Sequence, residues 1–168
     1  IAYGGCFYAL IDVRPLGIRI EPKSARQLVD IAMRTQSVLN RGREIVHPEI
    51  PAIRGISYTM LTDWSDDGAP VGATILPPGR VDRSPCGTGN AARMAVRARR
   101  GEVVVGAKVA ARSIIGSVFD VDYVGDSRVA NRPAVLTRVS GRGFIHGLRQ
   151  VGLDPADPFP NGFMLTDT

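Results

Sequence analysis

The chain has little of what several kinds of site are built from. It holds two cysteines, Cys6 and Cys86, in 168 residues. Two are too few for the disulfide framework of a small secreted domain, and they favour a reducing, cytoplasmic compartment. The two histidines, His47 and His146, share no metal-site spacing with each other or with the cysteines. No metal site is therefore expected. Lysine occurs only at Lys23 and Lys108, in a helix-start region and a strand. A pyridoxal-type Schiff base has no supporting signature there. No apolar run approaches the roughly 20 residues of a membrane span, and no secretory leader pattern is visible. Aromatic residues are scarce and do not interleave with the basic ones, as a single-strand nucleic-acid groove requires.

What is present suits a single globular domain over residues 1–168. Apolar content of 44% and charged content of 22% are ordinary for such a domain. Nineteen glycines and twelve prolines predict tight turns between short strands. The net charge is +5. Its densest run, Arg97, Arg99 and Arg100, closes a predicted helix, where cations complement the macrodipole. No nucleic-acid partner is expected. The chain opens at Ile1 in mid-pattern, which reads as part of a longer protein.

Periodicity places strands and helices in turn. Residues 1–13 read as strand, broken at Gly4-Gly5, with Phe7 to Ile11 buried. Leu16 to Ile20 reads as a second short strand. Ser24 to Arg41 is the strongest helix: Ser24 and Gln27 form a capping-box pattern, and Leu28, Ile31, Ala32, Thr35 and Leu39 share one face. Gly42 is expected to stop it. Ile53 to Leu61 and Val71 to Leu76 read as strands around a polar turn, Thr62 to Pro70. A glycine-rich loop follows over 81–90, then a helix over 90–100. Strands are expected at 102–110, 113–123, 128–138 and 142–149, and an irregular tail from Asp154 to Thr168. This order predicts an antiparallel α+β domain rather than a βαβ repeat.

The loop carries the chemistry. It runs Val81-Asp82-Arg83-Ser84-Pro85-Cys86-Gly87-Thr88-Gly89-Asn90 and leads into Ala91-Ala92-Arg93-Met94-Ala95. The small residues Ala91, Ala92, Ala95 and Ala98 let neighbouring strands approach closely, which suits a central buried helix. A helix amino terminus offers unpaired N–H groups and partial positive charge. Gly87 and Gly89 let backbone approach a ligand, so the terminus is an anion site. The same field favours the thiolate of Cys86. Asp82, four residues upstream, can bind an ammonium group. An α-amino acid carries both charges on the carbon whose proton must move.

Blander and rival readings stand beside this one. A cysteine is most often a small buried hydrophobe, and that is the reading for Cys6. A phosphate loop would end in Gly-Lys-Ser/Thr, which is missing. A nucleophilic thiol needs a paired histidine, and neither histidine is placed by the sequence.

Asp82-Arg83-Ser84-Pro85-Cys86-Gly87-Thr88-Gly89 resembles the second active-site motif of the proline racemase family, which includes hydroxyproline epimerases and trans-3-hydroxyproline dehydratases. Ile1-Ala2-Tyr3-Gly4-Gly5 with Phe7-Tyr8, Ser113-Ile114-Ile115-Gly116-Ser117, and Asp154-Pro155 through Gly162-Phe163 resemble other segments of its carboxyl-terminal half. The resemblance spans the chain. It implies one lobe of a diaminopimelate-epimerase-like fold, with mainly antiparallel strands around a central helix. It implies cofactor-independent racemisation or 2-epimerisation of proline or a hydroxyproline by two bases. Cys86 would be one base, the Gly87 and Thr88 amides would bind the substrate carboxylate, and Asp82 would contact its nitrogen. The opposing base belongs to an amino-terminal lobe not contained in this sequence. A cysteine there implies racemisation; serine or threonine implies dehydration.

Two departures bear on specificity. Tyr58 stands where the resemblance to hydroxyproline epimerases implies a substrate-contacting histidine, which counts against 4-hydroxyproline. Gly89-Asn90-Ala91-Ala92 replaces the Gly-Thr-Ser-Ala of the epimerases. Without its other lobe the chain would be an amino-acid-binding remnant, or would pair with a second copy so that two Cys86 thiols face each other.

Overall fold

The computed structural model describes residues 1–163. Eight strands form one sheet: β1 (Ala2–Tyr3), β2 (Phe7–Asp12), β3 (Ile56–Trp64), β4 (Pro70–Leu76), β5 (Arg80–Val81), β6 (Lys108–Ser113), β7 (Val118–Val129) and β8 (Arg132–Ser140). Two helices cross between strands, α1 (Ala25–Gly42) and α2 (Gly87–Arg99). The strand order is β1-β2-β3-β4-β6-β7-β8, with β5 paired to β4. Most joins are antiparallel, as expected of an α+β lobe. Two are parallel: β2 with β3, and β4 with β6. Parallel neighbours need a crossover, and α1 and α2 are those crossovers, a feature the expected antiparallel order did not contain.

The sheet curls around α2. That helix packs against β1 and β2 at one end of the strand order and against β7 and β8 at the other. The ends do not meet. A groove of about 680 Å³ separates them, lined by Tyr3, Gly4, Ala91, Ala95, Val135 and Leu136 among others. The lobe is thus a half-barrel holding α2, with α1 on its outer face. Strand β3 shows how the layers are divided. Met60 points to the α2 side with Tyr8, Cys86 and Ala92. Leu61 points to the α1 side with Leu28, Ala32, Ala73 and Ile75. Successive side chains on a strand alternate in this way, and β4, covered on both faces, is buried from Pro70 to Ile75.

Helix α1 buries Leu28, Ala32 and Gln36, a stripe at four-residue spacing. Gln36 was not legible as a core residue. Its amide donates to the carbonyls of Ile56 and Ser57, at 2.8 Å each. Asn40 both donates to the Ile56 carbonyl and accepts from its N–H. These bonds pin the start of β3 and so the placement of Tyr58 two residues later.

Several expected boundaries move. Leu16–Ile20 is not a strand: Arg14–Leu16 forms a 3₁₀ turn closed by Gly17 at φ 68°. Pro15 supplies no ladder N–H, and Arg14 folds back onto Asp12. Ser24 makes no side-chain cap, because it is itself helical. Gly42 ends inside the last turn of α1, and extended Arg43 is the stop. Strand β3 begins at Ile56 rather than Ile53 and runs on to Trp64, so the polar turn is shorter. Residues 102–107 are irregular before β6, and the expected strand at 113–123 is broken by a turn at Gly116, φ 80°. The β7–β8 hairpin turns at Ala130, φ 50°.

Residues 142–149 form no strand. Among the described residues their apolar side chains find little cover: Ile145 and Leu148 are 90% and 96% exposed. The tail is irregular from Asp154 to Phe163; residues 164–168 of that expectation lie outside the described residues. Among the described residues no helix is long and apolar enough to cross a membrane.

Candidate active site

The glycine-rich loop is shorter than the sequence suggests. Helix α2 starts at Gly87, with Cys86 as its N-cap residue. Gly87, Thr88 and Gly89 therefore form the first helical turn, and their N–H groups have no acceptor within the helix. They sit one after another behind the thiol and can receive a carboxylate.

Cys86 adopts φ 67°, ψ 108°, which side-chain-bearing residues rarely do. Such a conformation costs on the order of 1–3 kcal/mol and persists only where neighbours hold it. The neighbours here are explicit. The Cys86 N–H donates to Ser84 Oγ at 3.1 Å. The Cys86 carbonyl accepts from the Asn90 N–H at 3.1 Å and from Asn90 Nδ2 at 3.0 Å. Asn90 Nδ2 also donates to the Pro85 carbonyl, at 2.6 Å. Asn90→Ala should leave these buried carbonyls one donor short. We expect a loss of about 1–3 kcal/mol, measured by urea unfolding of the full-length protein, with Asn90→Asp no better because it offers no N–H.

Asp82 is fixed by the same loop. Its two carboxylate oxygens accept from the Ser84 N–H and the Ser84 hydroxyl, both at 2.9 Å. Asp82, Ser84 and the Cys86 amide thus form one chain of hydrogen bonds. Each carboxylate oxygen keeps a lone pair for a ligand cation. The turn between β6 and β7 braces the loop from outside: the Ser117 hydroxyl donates to the Arg83 carbonyl at 3.0 Å. Ser113 and Ser117 hold each other across that turn at 2.7 Å.

Cys86 as a whole is 7% exposed. Its surroundings come from three distant segments. Tyr8 of β2 brings its hydroxyl to 3.3 Å from Cys86 Sγ and 2.7 Å from Thr88 Oγ1. Met60 of β3 packs in the same cluster. Gly89 leaves room for the sulfur: a Cβ there would lie 3.0 Å from Sγ. Tyr58 lies beside Tyr8 across the parallel β2–β3 pairing, ring centroids 5.7 Å apart. Burial, then the bond to Cys86, push the Tyr8 phenol above its ordinary range.

The structure therefore places Cys86 and Thr88 about the Tyr8 hydroxyl, with Tyr58 beside the Tyr8 ring, Gly87 in the turn behind and Asp82 in the loop ahead. Cys6 is a free, half-buried thiol in the β1–β2 turn, packed against the same cluster. It lies in a turn rather than in a strand. His47 is structural: its Nδ1 accepts from the N–H groups of Glu49 and Ile50, and its ring packs on Tyr3. Sequence reasoning missed Tyr8, Ser84 and Asn90. The Asp82–Ser84 spacing carries a turn signal. Nothing local marks Tyr8, which is 78 residues from the thiol it touches.

Comparison with known proteins identifies the family. Residues 1–164 match the family model described as proline racemase. A 4-hydroxyproline 2-epimerase of Agrobacterium fabrum is 52% identical over 167 residues, covering 99% of this chain and 48% of that protein. A proline racemase of Clostridioides difficile is 35% identical, covering 98% and 50%. The crystal structure of a hydroxyproline epimerase from Agrobacterium vitis, with bound trans-4-hydroxy-L-proline, superposes with a TM-score of 0.85 at 52% identity, covering 98% of this chain and 48% of that one. The chain spans about half the length of the curated relatives it matches. With its thiol at the head of a helix wrapped by a curled sheet, this chain belongs to the proline racemase family.

Proposed function

We propose that this chain is one lobe of a cofactor-independent racemase or 2-epimerase, with Cys86 moving the α-proton of proline or a hydroxyproline. The observation that carries the reading is the placement of a shielded thiol immediately ahead of three helix-start amides. The amides of Gly87 and Thr88 bind the substrate carboxylate and stabilise the charge that grows as the α-proton leaves. Asp82 receives the ring nitrogen, and Tyr58 borders the ring. The Cys86 thiolate takes the proton from one face of the α-carbon. A second acid returns a proton to the opposite face, so the chemistry balances without cofactor or redox change.

That second acid comes from another lobe. The apolar segment 142–149 supports this: Phe144, Ile145 and Leu148 are all exposed where the sequence has strand character, and no described residue pairs with it. A second lobe that pairs with this segment would bury them. The free thiols Cys6 and Cys86 fit a reducing, cytoplasmic setting.

The test is solvent exchange. The full-length protein in deuterium oxide should replace the α-hydrogen of proline or a hydroxyproline with deuterium and invert the centre, read by NMR and chiral chromatography. Exchange accompanied by an imine absorbance, without inversion, would instead show a 3-hydroxyproline dehydratase using the same abstraction. Absence of exchange with every prolyl substrate removes the reading.

A further inference from the structure

We infer that Tyr8 is a positioning residue for this proton transfer, its hydroxyl donating to the Cys86 thiolate and turning to Thr88 when the thiol is protonated. The inference rests on the reading of Cys86 as an α-proton base. The geometry carries it. One phenol hydrogen stands between two acceptors, Cys86 Sγ at 3.3 Å and Thr88 Oγ1 at 2.7 Å. Tyr8 is 1% exposed, so water offers no competing partner.

A thiolate can only accept. With Cys86 ionised, the phenol hydrogen points at Sγ and the Thr88 hydroxyl donates to the phenol oxygen. Once Cys86 has taken a proton, sulfur no longer needs a donor, and the phenol hydrogen turns to Thr88 Oγ1. Thr88 is exposed at the helix start, beside the amide proposed to hold the substrate. The state of the thiol is thereby linked to the orientation of a group at the carboxylate site. Tyr8 stays protonated throughout, because burial and the sulfur both disfavour its anion. The other titratable groups around the thiol are Cys6 in the β1–β2 turn, Tyr58 on β3 and Asp82 in the loop. All remain when Tyr8 alone is changed.

The sign follows directly. Removing a donor to the thiolate disfavours the ionised form, so the thiol should ionise at higher pH. Hydrogen bonds to charged groups set the size, a rise of about one pH unit, or about tenfold less thiolate below the midpoint.

The experiment is Tyr8→Phe in the full-length protein, with two readouts. The first is the pH dependence of iodoacetamide alkylation at Cys86, followed on its own peptide so that Cys6 does not interfere. The second is the pH profile of kcat/KM for α-proton exchange. We expect the alkylation midpoint to rise by about one unit and the acid limb of kcat/KM to move with it. An unchanged alkylation midpoint overturns the inference, even if the rate falls. Replacing Tyr8 by 3-fluorotyrosine keeps the hydroxyl but makes it a stronger donor, so it should lower the midpoint, and it serves if Tyr8→Phe does not fold. Alkylation needs no substrate. A shifted midpoint in a protein that exchanges no prolyl substrate would uphold the Tyr8–Cys86 contact and overturn the proposed reaction instead.

Discussion

Cys86→Ser in the full-length protein should lower α-proton exchange by about three orders of magnitude with little change in substrate binding. Serine is nearly isosteric with cysteine, so the loop bonds from Ser84 and Asn90 to the backbone of residue 86 remain. The first-turn amides that would hold the carboxylate are backbone and are untouched. What is lost is a thiol: an alcohol gives up its proton far less readily, and Tyr8 cannot make up the difference with one hydrogen bond. Exchange in deuterium oxide measures the rate, and calorimetric titration with the substrate measures the binding. A serine variant within tenfold of the original rate would show that Cys86 is not the base.

Gly4→Ala should produce the largest loss of stability of any single methyl group added at this site. A Cβ at residue 4 would lie 2.2 Å from the Thr88 carbonyl oxygen and 2.6 Å from the Ala92 nitrogen. Both are helix backbone atoms, so no rotamer change relieves the contact. Either the β1–β2 turn lifts away or α2 shifts, and overpacking of this kind costs about 3 kcal/mol or more. Because Thr88 is in the first turn behind Cys86, a shifted helix also moves the thiol away from Tyr8. The expected outcome is a lower Tm together with at least about a tenfold loss of exchange, the rate following from about 1.4 kcal/mol of misplacement at the site. Ala92→Gly should not rescue the variant, since the clashing atom at residue 92 is its backbone nitrogen. Rescue would show that the close packing is side-chain rather than backbone contact.

Both results depend on how much of the site is local. Strings such as Asp82-Arg83-Ser84-Pro85-Cys86-Gly87-Thr88-Gly89 are legible because their geometry closes within a few residues. Asp82 reaches Ser84, Ser84 reaches the Cys86 amide, and Asn90 reaches back to Pro85 and Cys86. The alanines of α2 are legible for a similar reason: helical spacing shows that a wide face is small, and Gly4 proves to stand against that face. The same logic fails at 142–149. Those residues have strand character, but a strand exists only where a partner backbone takes its hydrogen bonds, and none of the described residues does so.

By itself, then, the sequence determined the Cys86 loop, the central helix behind it and the family to which the chain belongs, because each rests on short-range chemistry or on a motif. Only the tertiary structure decided that the loop ends at Cys86 rather than at Asn90, and that α1 and α2 join parallel strands. It also decided that Tyr8 meets the thiol and that Tyr58 packs beside Tyr8. Those facts arise from strand register: β2 and β3 lie side by side only after α1 has crossed the sheet, and that pairing brings Tyr8 against Tyr58 and both toward a sulfur far along the chain.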